Sequence, residues 1–523
     1  MTTRRALWGL IAVSTVLHLA WGAAIGPGND EAYHYLFTVH RDWSYFDHPP
    51  MLAVVEALGV RLAGGTVSAL SLRLGFIALF AGSTWLMARL TERFYGPKAG
   101  VLAAFALNVT AYHGLAASTF ALPDGPLLFF WLLTLDRLAA ALDAPAAKVG
   151  PWVQVGLAWG GALLSKYHAV FLPAGAVLYL LLDVRARAWL RRPGPYVAVA
   201  LGVVLFTPVL WWNATHHWAS FVFQGGRALG SLRFRPSSLA LYFVGQIVYL
   251  CPWIWLRLVS LLVLRGRKLH EDAHDRFLVC QAAVPLVLFT AVASTREVLP
   301  HWTLVGFLSL FPMLGRFWAE LWESRRPVLV RRLAWMASLP VLVGFLAVFE
   351  ARTGLLQQGR PGGIGLLRAA RDPTVDMIGW DQVADELKRR GLLDQPDTFL
   401  FTSMWYHSGH LAFATRGSST PVLCYNPIDA RSFAFWSRPR DWVGENGILV
   451  SVNNRMNEPN GYAGWFDRIE PLGAFEVMRG GAPVRRVRLF RCVRQTRPFP
   501  FDRLKPRGDL AGRREPEGPS RVR

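Results

Sequence analysis

Four short stretches of this sequence carry side chains that could do chemistry. Asp30-Glu31-Ala32-Tyr33 follows the first apolar run, and Phe46-Asp47-His48-Pro49-Pro50 comes soon after it. Pro123-Asp124 opens a later apolar run, and Ser165-Lys166-Tyr167-His168 stands between two others. Arg227, Arg296-Glu297 and Pro300-His301-Trp302 add charge further along. Acids beside cations suit group transfer from a phosphate ester. A carboxylate takes the proton of an acceptor hydroxyl, while Lys, Arg and His stabilise the departing phosphate. Ionisable groups at the ends of apolar runs are costly unless they face water or one another. Their accumulation therefore points to a site.

Asp30, Glu31 and Asp124 are the candidate catalytic acids. Lys166, His168, Arg227, Arg296 and His301 are the candidate phosphate-binding cations. Each has a plainer reading. Asp30 and Asp124 stand where an acid would cap a helix. Lys166 at a span end can snorkel to the headgroups. Arg227 and Arg296 can attract anionic lipid without specificity, and His301 beside Trp302 can be an interfacial anchor. Neighbouring helix residues do not share a face, so Asp30 is favoured as base and Glu31 as an orienting group. His48, before its proline pair, reads as structural. Neither Asp47-His48 nor His216-His217 has metal-ligand spacing. A divalent metal stays compatible with the carboxylates, and no other cofactor is implied. No Asp-x-Asp pair occurs, which disfavours a metal–nucleotide clamp for a soluble sugar nucleotide.

The elements that must position these residues are set by composition. The chain has 523 residues, 53% hydrophobic and only 17% charged, yet carries a formal net charge of +21. A disordered chain would be less apolar, and a nucleic-acid binder would carry its basic residues on a polar surface. Four cysteines exclude a disulfide scaffold. A span needs roughly 20 mostly apolar residues. Eleven candidates run near 7–24, 69–90, 99–118, 124–142, 151–164, 167–183, 195–213, 237–264, 277–294, 302–320 and 333–350. Residues 165–168 mark either a break between two spans or an interruption of one. The short loops holding Arg89, Arg93 and Lys98, then Arg185 to Arg192, then Arg265 to Arg276, then Arg325 to Arg332, are the basic ones. The positive-inside rule puts them in the cytoplasm, with the N-terminus. The acid- and histidine-bearing loops then lie outside, as does everything after the last span. Pro49-Pro50 and Met51–Leu62 predict an interfacial helix with proline at its start.

The predicted fold is therefore an α-helical polytopic membrane domain over 1–350 and a smaller extracytoplasmic α/β domain over 351–500. A disordered basic tail follows over 501–523. Trp380–Arg390 predicts a helix stopped by Gly391. Strands are predicted at 398–402, 422–425, 448–452 and 484–493, with helices at 406–415 and 429–436. No glycine-rich phosphate loop follows a strand, so nucleotide binding has no support. Cys424 and Cys492 read as separate buried thiols more readily than as a disulfide.

The ordered set Asp30-Glu31 with Tyr33, Phe46-Asp47-His48-Pro49-Pro50, Ala121-Leu122-Pro123-Asp124-Gly125-Pro126-Leu127-Leu128-Phe129-Phe130-Trp131 and Leu164-Ser165-Lys166-Tyr167 resembles glycosyltransferase family 39. That is the protein mannosyltransferase-like group of bacterial membrane enzymes with the GT-C fold. The resemblance covers about residues 28–320. Gly125 and His168 stand where many relatives have other residues. The resemblance implies an inverting transfer from a polyprenyl-phosphate sugar, with the first-loop acid as base, in the bacterial cytoplasmic membrane. The implied partners are that donor, membrane lipids and an acceptor lipid, polysaccharide or protein, with no nucleic acid. A flippase for lipid-linked sugars is the alternative. Transporters usually show internal repeats and midplane ionisable residues, and here no repeat is visible.

Overall fold

The computed structural model describes residues 2–145, 147–228, 233–452 and 459–501. The helical part begins with α1 (Thr3–Ala24), α2 (Asn29–Val39), α3 (Met51–Leu62) and α4 (Ala69–Tyr95). Next come α5 (Pro97–Asn108), α6 (Ala117–Thr119), α7 (Asp124–Leu142), α8 (Gly150–Ser165) and α9 (Phe171–Leu182). α10 (Pro193–Thr215), α11 (Ala219–Ala228), α12 (Pro236–Leu250) and α13 (Pro252–Gly266) follow. α14 (Ala273–Ala293), α15 (Leu304–Leu308) and α16 (Phe311–Thr353) complete it. Six of these helices are long and apolar enough to cross a membrane. The protein is a multi-pass membrane protein.

The eleven predicted spans are redistributed, for local reasons. The run at 237–264 is two helices bent by 110°, because Cys251 takes φ 65° and Pro252 starts α13. A proline inside a helix lacks the N–H donor and clashes with the preceding turn. The run at 99–118 bends by 76° between α5 and a π-helical turn, Tyr112–Ala116. If each bent pair is one span, the total is eight. α8 has only 16 residues. The break near 165–168 is real: Lys166 is extended, with φ −159° and ψ 143°, and a 3₁₀ turn follows it. The last two predicted spans share α16, interrupted at Arg325, which is non-helical.

Small residues let the helices at the start of the bundle touch backbone to backbone. A Cβ on Gly59 would come within 2.3 Å of the Ser71 carbonyl oxygen, and one on Gly75 within 2.5 Å of the Val55 carbonyl oxygen. α3 therefore lies directly against α4, the close approach typical of membrane helices. α4 starts at a reciprocal cap, in which Ser68 and Ser71 each accept the other's backbone N–H.

The C-terminal part is a five-stranded sheet with helices. Its elements are α17 (Trp380–Arg389), β1 (Thr398–Thr402), α18 (Trp405–Ala414), β2 (Val422–Cys424), α19 (Phe433–Trp436), β3 (Asn446–Val452), β4 (Phe466–Arg479) and β5 (Ala482–Gln495). The strand order is β2-β1-β3-β5-β4. β1 runs parallel to β2 and β3, and the β3–β5 and β4–β5 pairs are antiparallel. β4 has no counterpart among the predicted strands, and the helix expected over 429–436 shrinks to Phe433–Trp436. Cys424 and Cys492 are free, buried and in different apolar clusters. Burial pushes the Cys492 thiol up to about 12. The tail expected over 501–523 lies outside the described residues, except for Phe501.

Candidate active site

α2 is a short helix used on three faces. Successive residues turn by about 100°, so i and i+4 share a side. Glu31 points into the bundle and is completely engaged. Its Oε1 accepts from Arg73 Nε at 2.8 Å and from the Ala121 N–H at 2.9 Å. Its Oε2 accepts from Arg73 at 2.6 Å and from the Gly28 N–H at 2.8 Å. Arg73, on α4, is fully buried and also donates to the carbonyls of Gly22, Ile25 and Gly26. With every strong acceptor direction taken, Glu31 orients the loop and has no free lone pair for a proton in transit. It was a candidate catalytic acid; its geometry is that of a clamp.

Asp30, next to it, is exposed, and no hydrogen bond or ion pair among the described residues holds its carboxylate. It acts electrostatically on the Tyr112 hydroxyl, as does Asp124. Tyr112 belongs to the π-helical turn, a local insertion often found at functional sites. Its ring stacks on His301, with centroids 5.3 Å apart and planes 9° from parallel.

Asp124 is the first residue of α7, and Lys166 is the residue at which α8 stops. Lys166 Nζ donates to both Asp124 oxygens, at 2.9 and 2.7 Å, and both side chains are buried. An ammonium has three donors, so one remains for another acceptor. His168 interacts electrostatically with Lys166, Asp124, His301 and His48. Its Nε2 is buried and unbonded. Such an atom is costly unless a ligand or water meets it.

His34, one turn beyond Asp30, lines the same side of α2. Its Nδ1 lies 3.3 Å from the Ala121 carbonyl oxygen, and its ring centroid is 5.3 Å from that of His48. Burial pushes His48 down to about 3, so this ring is a neutral donor or acceptor. Asp47 is buried and takes hydrogen bonds from Tyr33 at 3.2 Å and from Arg431 at 2.7 Å. Burial alone would raise this carboxyl; the Arg431 guanidinium that donates to it outweighs burial and holds it below the usual carboxylate range.

The structure thus brings Asp30, Asp124, Lys166, His168 and His301 to one end of the bundle, with His34, His48 and Tyr112 among them. Arg296 lies at the rim and donates to the Gly226 carbonyl at 3.2 Å. Arg227 is in α11; its side chain lies outside the described residues. Among the described residues, no group of three or more His, Cys, Asp or Glu side chains is placed to hold a metal.

Two solved structures of ArnT from Cupriavidus metallidurans share this architecture. The one bound to undecaprenyl phosphate superimposes with a TM-score of 0.59 at 18% identity, covering 92% of this chain and 97% of that one. The apo form gives 0.57 over the same shares. The chain has the fold of these two structures. Residues 47–212 match the family described as dolichyl-phosphate-mannose-protein mannosyltransferase, a range that holds Asp47, His48, Asp124, Lys166 and His168. A curated relative, the lipid A galacturonosyltransferase RgtD of Rhizobium johnstonii, is 27% identical over 293 residues. That match spans 54% of this chain and 58% of the relative. The resemblance read from the ordered motifs agrees with these matches.

Several members of this site were not among the sequence candidates. Tyr112 sits within an apolar run beside His113, and both are buried. Arg431 reaches the site from a different domain. His48, which reads as structural before its proline pair, packs instead against His34. Arg73 left a usable signal, because an arginine inside an apolar span demands a buried partner.

Proposed function

We propose that the protein transfers a sugar from a polyprenyl-phosphate donor to a hydroxyl of a lipid acceptor, with inversion at the anomeric carbon. The observation that carries this reading is one unclaimed carboxylate, Asp30, sharing an end of the bundle with the Lys166–Asp124 pair and unbonded His168. Asp30 takes the proton of the acceptor hydroxyl as its oxygen attacks the anomeric carbon. The bond from that carbon to the phosphate oxygen breaks on the opposite face. Its electron pair leaves with the polyprenyl phosphate. The remaining Lys166 donor and the His168 and His301 rings meet the phosphate charge as it develops. Asp124 holds Lys166 in place. Arg296 extends the positive side of the site at its rim.

The basic short loops favour a cytoplasmic N-terminus in a bacterial cytoplasmic membrane, with this site and the C-terminal α/β domain outside. A lipid acceptor fits a site at the end of membrane helices, and RgtD acts on lipid A by its name. The test uses purified protein in nanodiscs, a panel of polyprenyl-phosphate sugars and a glycolipid acceptor. Release of free polyprenyl phosphate that depends on acceptor and on Asp30 is the expected result. Movement of intact lipid-linked sugar between leaflets of proteoliposomes without release would replace this reading with a flippase.

A further inference from the structure

The third face of α2 is held by the α/β domain. Asn29, adjacent to Asp30, makes two hydrogen bonds, both to that domain. Its Nδ2 donates to Asp376 at 2.9 Å, and its Oδ1 lies 3.0 Å from His410 Nε2. The direction of the second bond follows from the first. An amide that gives its N–H to a carboxylate turns its oxygen to the imidazole, so Nε2 carries the proton and donates.

The imidazole is itself fixed. His410 is 1% exposed, and its ring stacks on Trp380 with centroids 4.8 Å apart and planes 2° from parallel. Arg485 covers Trp380, its guanidinium 4.4 Å from the ring centroid. Burial keeps this histidine neutral, the state that a single N–H donor to an amide oxygen requires. One residue earlier in α18, Gly409 lies on the backbone of α2, where a Cβ would come within 2.7 Å of the Tyr33 nitrogen. The hydroxyl of Tyr33, one turn after Asn29 on the same face, accepts from the Ser432 N–H at 3.0 Å.

We propose that His410 is a positioning residue for the transfer reaction: by fixing Asn29 it sets the rotation of α2 and so aims Asp30 at the acceptor. It touches neither substrate nor any reacting atom. The α/β domain is on this account a working wall of the site. The Glu31–Arg73 clamp fixes where α2 enters the bundle, and His410 fixes how it is turned. Displacements of about 1 Å at a reacting group cost rates of about 100-fold, so a lost hydrogen bond next to the base reads out in turnover.

This inference rests on the transfer reading above, and the experiment separates the two. Full-length wild type, His410→Ala, His410→Gln, Asn29→Ala and the double variant His410→Ala/Asn29→Ala are compared in nanodiscs for acceptor-dependent release of polyprenyl phosphate. His410→Ala is expected to lower kcat about 10- to 100-fold and leave the donor KM within about twofold. His410→Gln, whose amide N–H can reach the same oxygen, is expected to restore most of the rate. The double variant is expected to be no worse than the poorer single variant, because both remove one bond. Wild-type kcat in His410→Ala overturns the inference and leaves the transfer reading standing. So does a loss that His410→Gln does not repair, or one that multiplies in the double variant, since either marks a packing role. Absence of release by wild type with every donor overturns both.

Discussion

The two ends of α7 carry acids in opposite situations. At its far end Asp136 is fully buried and is surrounded by Arg89, Arg93 and Arg137. Close to that end, Asp275 meets Arg265, Arg316 and Tyr95, and Asp183 meets Arg276. These acids are matched or outnumbered by cations. At the near end the acids are sorted instead. Glu31 is saturated by Arg73, Asp124 shares Lys166, Asp47 is held by Arg431, and Asp30 is unclaimed. Saturated pairs fasten helices. A carboxylate left free beside buried histidines is available for chemistry.

The largest effect should come from the free acid. Asp30→Asn keeps size and polarity and removes the proton acceptor, so turnover should fall by about 10²- to 10⁴-fold, measured as polyprenyl phosphate release. The saturated acid at the same end should behave differently. Glu31→Gln leaves Arg73 buried and unmatched. Breaking such a pair costs about 3–5 kcal/mol, read as a lower unfolding midpoint in detergent and poor recovery of folded protein. At the far end, Asp136→Asn should lower the unfolding midpoint and leave turnover of the surviving protein within about twofold. A loss of turnover beyond the loss of folded protein would erase the distinction between the two ends.

A smaller effect should follow pH. Asp47 is held below its ordinary range when folded, so its bond to Arg431 contributes stability that is fully present above the unfolded carboxylate value of about 3.9. That contribution is lost as pH falls through the lower folded value. Hydrogen exchange in α18 and α19 should therefore stay slow from neutral pH to about 4 and quicken only below it, and Asp47→Asn should quicken it already at neutral pH. Exchange that quickens near pH 6 would assign the docking to histidines instead.

Much of this was legible in the residues. The apolar runs, the helix after Pro49-Pro50, the helix over 380–389 and four of the five strands follow from period and punctuation. β4 did not, because Pro471, Gly473 and its charges interrupt the alternation, and the strand accommodates them with a register shift. The span count overshot because apolar length does not reveal a 110° bend at Cys251-Pro252. Asp30, Asp124 and Lys166 were visible as expensive charges at run ends. What joins them was not. Arg73, Tyr112, Arg431 and His410 reach the site through tertiary packing, two of them from a domain that begins hundreds of residues later.

Asp30 alone among the near-end acids acts as the base of the transfer. The most direct measurement is the single-turnover rate of polyprenyl phosphate release, with donor affinity measured on the same nanodiscs, for wild type and Asp30→Asn. The account predicts a rate at least about 100-fold lower with donor affinity unchanged within about threefold. A rate within tenfold of wild type, or a loss explained by weaker donor binding, would contradict it.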